Sequence, residues 1–223
     1  MRDAFHEALD SLNDDLVEMT RLVGSAMGRA SQALLDADLE LAESVIAADE
    51  AVDKLHHNLE ARAVELLARQ QPVATDLRIV VTTLRMSAEL ERMGDLARHV
   101  AKVARLRYPD SAVPAQARGT ILEMSQVAER IVVKCGSVVA SKDLEAANEL
   151  DRDDDEMDRL HRLLFRHLLD GSWAQGIEPA IDLTLIGRYY ERYADHAVTV
   201  AGRVVYLVTG EYPKPTADGS LTS

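Results

Sequence analysis

Among the carboxylates at helical spacing along this 223-residue chain, four pairs fall at corresponding positions of its two halves: Asp49 with Asp53, Glu91 with Asp95, Asp154 with Asp158, and Glu191 with Asp195. Side chains four apart lie one turn apart on one face of a helix, where like charges repel unless a cation sits between them. Two such pairs on adjacent helices form an oxygen-rich cage suited to hard ions such as magnesium, manganese or iron. His56 and His161 each follow an aspartate by three residues, and an imidazole turns the preference toward iron, zinc or nickel. An isolated pair of this kind usually just solvates a surface, and Arg92 and Arg192 are placed to supply interhelical salt bridges instead. The occurrence of the pairs on two segments of each half makes these ten residues candidate ligands of a divalent or trivalent metal.

Other reactive residue types carry less. His99 extends one acidic stripe, but Thr199 stands at its counterpart, so a solvated imidazole is expected. His57 and His196 adjoin stripe residues without matching partners and read as surface or outer-shell groups. Cys135, the lone cysteine, lies among Ile131, Val132, Val138 and Val139 and reads as a buried apolar residue. A glycine-rich phosphate loop, a Ser-His-Asp order and Cys/His zinc spacing are all missing from the sequence. Arg78, Arg85 and Arg92, seven apart, form a basic ridge that serves either as a solvated face or as a docking surface for an acidic partner.

The elements that must hold these residues are helices. Aromatic residues are only 4%, and neither period-two runs nor Asn-Gly hairpins occur. With 25 Lys and Arg against 38 Asp and Glu the net charge is −13, which repels nucleic acid and anionic membrane surfaces. No stretch approaches the roughly 20 apolar residues that span a bilayer, and the acidic start lacks a secretory signal core, so a cytoplasmic protein, peripheral to a membrane at most, is expected. Prolines at 72, 109, 114, 179, 213 and 215 mark boundaries. Further breaks fall at Asp36, expected to cap the next helix, and at residues 141–143. Six helices follow, over about 3–34, 37–69, 74–107, 115–140, 142–169 and 179–209.

The chain also repeats itself. At a shift of 105, Asp38, Leu39, Glu40, Ala42, Asp49, Asp53, Leu55 and His56 recur as Asp143, Leu144, Glu145, Ala147, Asp154, Asp158, Leu160 and His161. At a shift of 100, Glu91, Arg92, Asp95, Ala97, Val100 and Ala101 recur as Glu191, Arg192, Asp195, Ala197, Val200 and Ala201. The expected fold is all-α, two tandem, sequence-related antiparallel three-helix bundles over 1–110 and 111–210, followed by a disordered tail over 211–223. Apolar seams run along the third helix (Met86, Leu90, Met93, Ala97, Val100, Ala104) and the sixth (Ile186, Tyr190, Tyr193, Ala197, Val200, Val204). The second helix offers Val45, Ala48, Val52, Leu55 and Leu59. The fifth offers Leu150, Met157, Leu160 and Leu164, with Asp153 as a flaw in the seam.

The tandem triplets, the segments at 89–102 and 189–204, and the acidic runs at 49–53 and 154–158 closely resemble the PhoU family of phosphate-uptake regulators, in its actinobacterial branch, over roughly residues 3–209. The resemblance implies a cytoplasmic, usually dimeric, non-enzymatic accessory protein and negative regulator. Its implied partners are the sensor histidine kinase of the phosphate regulon and the ATPase of the phosphate ABC transporter, with no nucleic acid among them. It also implies metal at the four acidic pairs, as iron, zinc, manganese or magnesium. His56 and His161 depart from that pattern and leave the metal open. Two alternatives stand beside it, a carboxylate-bridged dimetal oxidase built on Asp53-x-x-His56 and Asp158-x-x-His161, and a metal-free scaffold.

Overall fold

The computed structural model describes residues 2–171 and 173–211; the tail expected over 211–223 lies outside them from residue 212 onward. Six α-helices account for nearly all of it: α1 (Arg2–Asp36), α2 (Leu39–Gln70), α3 (Ala74–Arg107), α4 (Ala115–Ser141), α5 (Leu144–Leu169) and α6 (Ile177–Thr209). Among the described residues there is no strand.

The ends show why the chain breaks where it does. Ala37 takes a left-handed turn, and Asp38 rather than Asp36 caps α2, its carboxylate accepting from the Leu41 amide at 2.9 Å. Asp36 instead closes α1 and pairs with Arg118 of α4 at 3.0 Å. The second half repeats the device: Lys142 is left-handed and Asp143 accepts from the amides of Glu145 and Ala146. Each such cap is worth about 1 kcal/mol. Helix α6 begins two residues before Pro179, which sits in the first turn, where no amide hydrogen is required.

Helix α1 packs on α2, α3 and α4; α4 packs on α1, α5 and α6; and α3 packs on α6. Helices α2 and α5 touch only their own triplets and lie on opposite flanks. The triplets therefore meet along α1–α4 and α3–α6 and share one apolar cluster. The seams of α3 and α6 are buried throughout. Tyr190 and Tyr193, fully buried in α6, reach into the other triplet, where the Tyr190 hydroxyl lies 2.6 Å from Ser31 Oγ and the Tyr193 hydroxyl donates to the Val23 carbonyl at 3.2 Å. Each large side chain buried this way contributes about 2 kcal/mol.

Two seam positions differ from expectation. Ala48 is exposed and its neighbour Asp49 is buried, only 7% accessible, because α2 rolls its acidic edge toward α3. Asp153 is a paired residue, its carboxylate 2.7 Å from Lys134 Nζ across the α4–α5 contact. Cys135 is fully buried, and burial pushes its thiol up to about 12, so it stays protonated.

Candidate functional site

Each triplet gathers its acidic residues in the trough between its second and third helices. In the first, Asp49 and Asp53 of α2 face Glu91 and Asp95 of α3, and the Asp49 carboxyl is raised by burial, against the pull of Arg98, with Asp53 and Asp95 repelling it. In the second, Asp154 and Asp158 of α5 face Glu191 and Asp195 of α6. Burial first, then repulsion from Asp195, Asp158 and Glu191, pushes the Asp154 carboxyl up to about 7. Glu191 and Asp195 are raised for the same leading reason. Glycines allow the close approach. A Cβ on Gly94 would come within 3.2 Å of Asp49 Oδ1, and one on Gly187 within 2.8 Å of Leu164 and 3.2 Å of the His161 ring.

The troughs differ in their cations. Arg98, on the turn after Asp95, spans the first trough. Its guanidinium lies 2.9 Å from Asp49 Oδ2 and also binds Asp95. Lys102 adds a weaker attraction on Asp49. Neither cation recurs, because Val198 and Gly202 stand at the corresponding positions of α6. Arg188 pairs with Glu191 in the second trough but leaves its Oε2 buried without a hydrogen-bond partner. Asp154 Oδ1 and His161 Nε2 are likewise buried without partners there. His161 is lowered chiefly by burial, then by Arg188, so its imidazole is neutral at pH 7 and carries a free ring nitrogen. Its counterpart His56 instead lies 3.2 Å from Ser87 Oγ, a hydroxyl that Gly187 lacks.

As the side chains stand, no three His, Cys, Asp or Glu among the described residues close around one metal-sized point. The two donor sets nonetheless differ in fit. In the first, the Arg98 guanidinium offsets part of the charge of four carboxylates, and Asp49 Oδ2, though ion-paired, is buried without a hydrogen bond. The second presents three orphaned donors, two oxygens and one nitrogen, within four carboxylates that repel each other, which suits a hard or borderline divalent ion.

Sequence reasoning overlooked Arg98, although its spacing of three from Asp95 and its replacement by Val198 were visible. It also misplaced His196. That residue is buried between α3 and α6, with Nδ1 2.8 Å from Glu89 Oε2, and Arg203 donates to the other Glu89 oxygen at 3.2 Å. Burial alone would raise the Glu89 carboxyl, but these two hydrogen bonds outweigh it and hold it below its ordinary value. This pairing joins the triplets, as does Arg107 of α3, which binds Asp182 and Glu178 of α6. His57 is exposed, as expected. His99 is half-buried, its ring 5.2 Å from Tyr189, rather than solvated. Of the ridge, Arg78 and Arg85 line one groove beside Tyr206, with Arg78 5.9 Å from its ring, and Arg92 leans toward Glu89 at 3.6 Å. The bridging cation of the acidic trough is Arg98, not Arg92.

The duplication is that of a known domain, since the PhoU domain matches residues 16–104 and again 121–204. The chain belongs to the PhoU family. A relative from Mycobacterium tuberculosis, phosphate-specific transport system accessory protein PhoU homolog 2, is 49% identical over 213 residues, spanning 96% of this chain and all of the relative. PhoU homolog 1 from Mycobacterium leprae is 48% identical over 99% of this chain and all of the relative. The crystal structure of PhoU from Pseudomonas aeruginosa superposes with a TM-score of 0.85 at 27% identity, covering 93% of this chain and all of that one. The phosphate transport system regulatory protein PhoU from Streptococcus pneumoniae gives 0.84 at 25% identity, over 94% and 99%. This chain is thus a PhoU-family accessory protein of phosphate transport, and among its described residues no helix is long and apolar enough to cross a membrane. The oxidase alternative needs both Asp-x-x-His motifs around one site, but α2 and α5, which carry them, do not touch.

Proposed function

We propose that this PhoU-family chain acts without catalysis, in the cytoplasm and as a homodimer, as a negative regulator of phosphate-regulon signalling and of the phosphate transporter. It does so by contacting the regulon's sensor histidine kinase and the transporter's ATPase. The observation that carries this reading is correspondence along the whole length of proteins named as accessory to phosphate-specific transport. The shared core of the two triplets supports it, since a single rigid body presents its flanks to different partners.

The same reading places metal in the second trough. Asp154, Asp158, Glu191, Asp195 and the free nitrogen of His161 would hold it; in the first trough Asp49 and Asp95 are paired with Arg98 and His56 with Ser87, which leaves Asp53 and Glu91. A bound divalent ion would supply positive charge against four clustered carboxylates. The protein residues themselves fix the spacing of α5 and α6, through the Gly187 contact, and keep the imidazole neutral.

Deleting the gene tests the regulatory reading. Reporter output of the phosphate regulon should rise in high phosphate, and a reporter that stays repressed would refute it. Glu191→Ala with Asp195→Ala separates the metal-bound reading from a bare scaffold, which would keep both metal content and regulation unchanged.

A further inference from the structure

Beyond the acidic trough, the opposite end of the α5–α6 groove is apolar and open. It has a volume of about 680 Å³. Phe165 and Leu169 form one rib on α5 and Ile177, Ile181 and Leu185 the other on α6, each at a spacing of four. Leu169 and Ile177 are 82% and 80% exposed and Ile181 54%, so folding leaves these side chains largely in water. Trp173, the only tryptophan of the chain, lines the groove and is fixed there by donating from Nε1 to the Gly176 carbonyl at 2.8 Å.

The repeat keeps part of this surface apolar, with Val64, Leu77 and Val81 at the positions of Leu169, Ile177 and Ile181, and replaces part of it by charge. At corresponding positions the first triplet carries Glu60 in place of Phe165 and Arg85 in place of Leu185, yet α2 and α3 pack as α5 and α6 do. The same divergence added charge at the rim. Arg162, Arg166 and Arg188 replace His57, Ala61 and Ala88. By helical spacing, Arg162 and Arg166 follow the outer side of the α5 rib, while Arg188, one turn past Leu185, is paired with Glu191 of the acidic trough. Arg166 makes no salt bridge among the described residues, and Arg162 has only an exposed contact with Asp158 at 3.4 Å. An open apolar trough edged by arginines, in a chain of net charge −13, is complementary to an object that is apolar at its centre and acidic at its margins.

We propose that the groove between Phe165/Leu169 and Ile177/Ile181/Leu185 receives an amphipathic helix of a partner protein, with apolar anchors three and four residues apart flanked by acidic side chains. A trough between two ribs is the shape in which such a helix lies. A second copy docking groove to groove would bring Arg162 and Arg166 against themselves. An anionic membrane repels the chain as a whole, and a concave site does not insert into it. The inference rests on the regulatory reading only in making the occupant a protein, and its test is independent of the reporter assay.

Trp173 reports on the groove directly. A helix-stapled synthetic peptide with leucines three and four apart and glutamates on both flanks should shift Trp173 emission to shorter wavelength, saturably, with the full chain. A lysine-flanked version should not. Ile177→Glu and, separately, Leu169→Glu should abolish the shift while far-UV circular dichroism stays unchanged, since both positions are exposed. Arg162→Ala with Arg166→Ala should weaken binding about tenfold and remove most of its salt dependence. Equal response to both peptides, or none to either, would overturn the proposal. So would a Trp173 shift produced by phosphatidylglycerol vesicles in place of the peptide, or sedimentation showing a dimer that Ile177→Glu dissociates.

Discussion

The two acidic troughs descend from one pattern, and their divergence shows how a duplicated site can keep its ligands and change its electrostatics. In the first, Arg98 lies between Asp49 and Asp95, and His56 is occupied by Ser87. In the second, Val198 and Gly187 stand at those two positions, and the consequences are an Asp154 carboxyl pushed up to about 7 and three buried atoms without partners. Arg98 bridges carboxylates of both helices in the first trough, whereas Arg188 in the second pairs with Glu191 of its own helix. Four carboxylates alone do not distinguish these states; the residue three positions after the last of them does.

The largest effect should come from giving the first trough the second's residue. Arg98→Val strips the counter-ion from nearly buried Asp49, and urea unfolding at pH 7 should show a loss of about 3 kcal/mol. A loss under 1 kcal/mol would mean that the guanidinium does not hold the trough.

The second trough should respond to pH. Because the folded Asp154 carboxyl is raised from 3.8 to about 7, the folded state holds its proton longer than the unfolded state does. Its stability contribution is therefore full below pH 3.8 and is lost as pH rises through 7. Asp154→Asn should remove that loss and gain about 2 kcal/mol at pH 8, allowing for solvent screening, with little change at pH 4. Glu89 works in the opposite sense. Its lowered carboxyl gives stability that is present above pH 4.5 and lost as pH falls through its folded value, so Glu89→Gln should flatten the acid limb of the curve.

Giving the second trough the first's residue is a milder change. Val198→Arg should stabilise the chain by about 1 kcal/mol at pH 8 and remove any stabilisation by added divalent metal. Smallest of all, Arg92→Ala should cost under about 0.5 kcal/mol, since the arginine is exposed and its contact with Glu89, already held by His196 and Arg203, is a loose 3.6 Å.

Much of this was readable from spacing. Six helices, their breaks near residues 36 and 142 and the seams of α3 and α6 follow from periodicity and from prolines that cannot sit inside a helix, though the cap of α2 is Asp38 and not Asp36. So does the facing of acidic pairs across each trough, because a repeated polar stripe beside a repeated seam has to run along the same helix–helix contact. Periodicity could not fix the roll of α2. Ala48 and Asp49 are one residue apart, and the choice of which turned inward fell to the close approach at Gly94, a tertiary contact. Nor could it see His196, which looked unpaired because its partner Glu89 is 107 residues away on the other triplet. Arg98 was legible in principle, since aligning the repeats sets it against Val198, but identities drew the eye and the informative position was a difference.

Metal content tests the inequality of the troughs most directly. Protein purified without chelators or a polyhistidine tag, and then dialysed against one divalent metal at a time, is assayed by elemental analysis beside Asp154→Asn/Asp195→Asn and Asp49→Asn/Asp95→Asn variants. The account expects stoichiometric metal in the wild type, lost in the first variant and kept in the second. Metal retained without Asp154 and Asp195 but lost without Asp49 and Asp95 would contradict it.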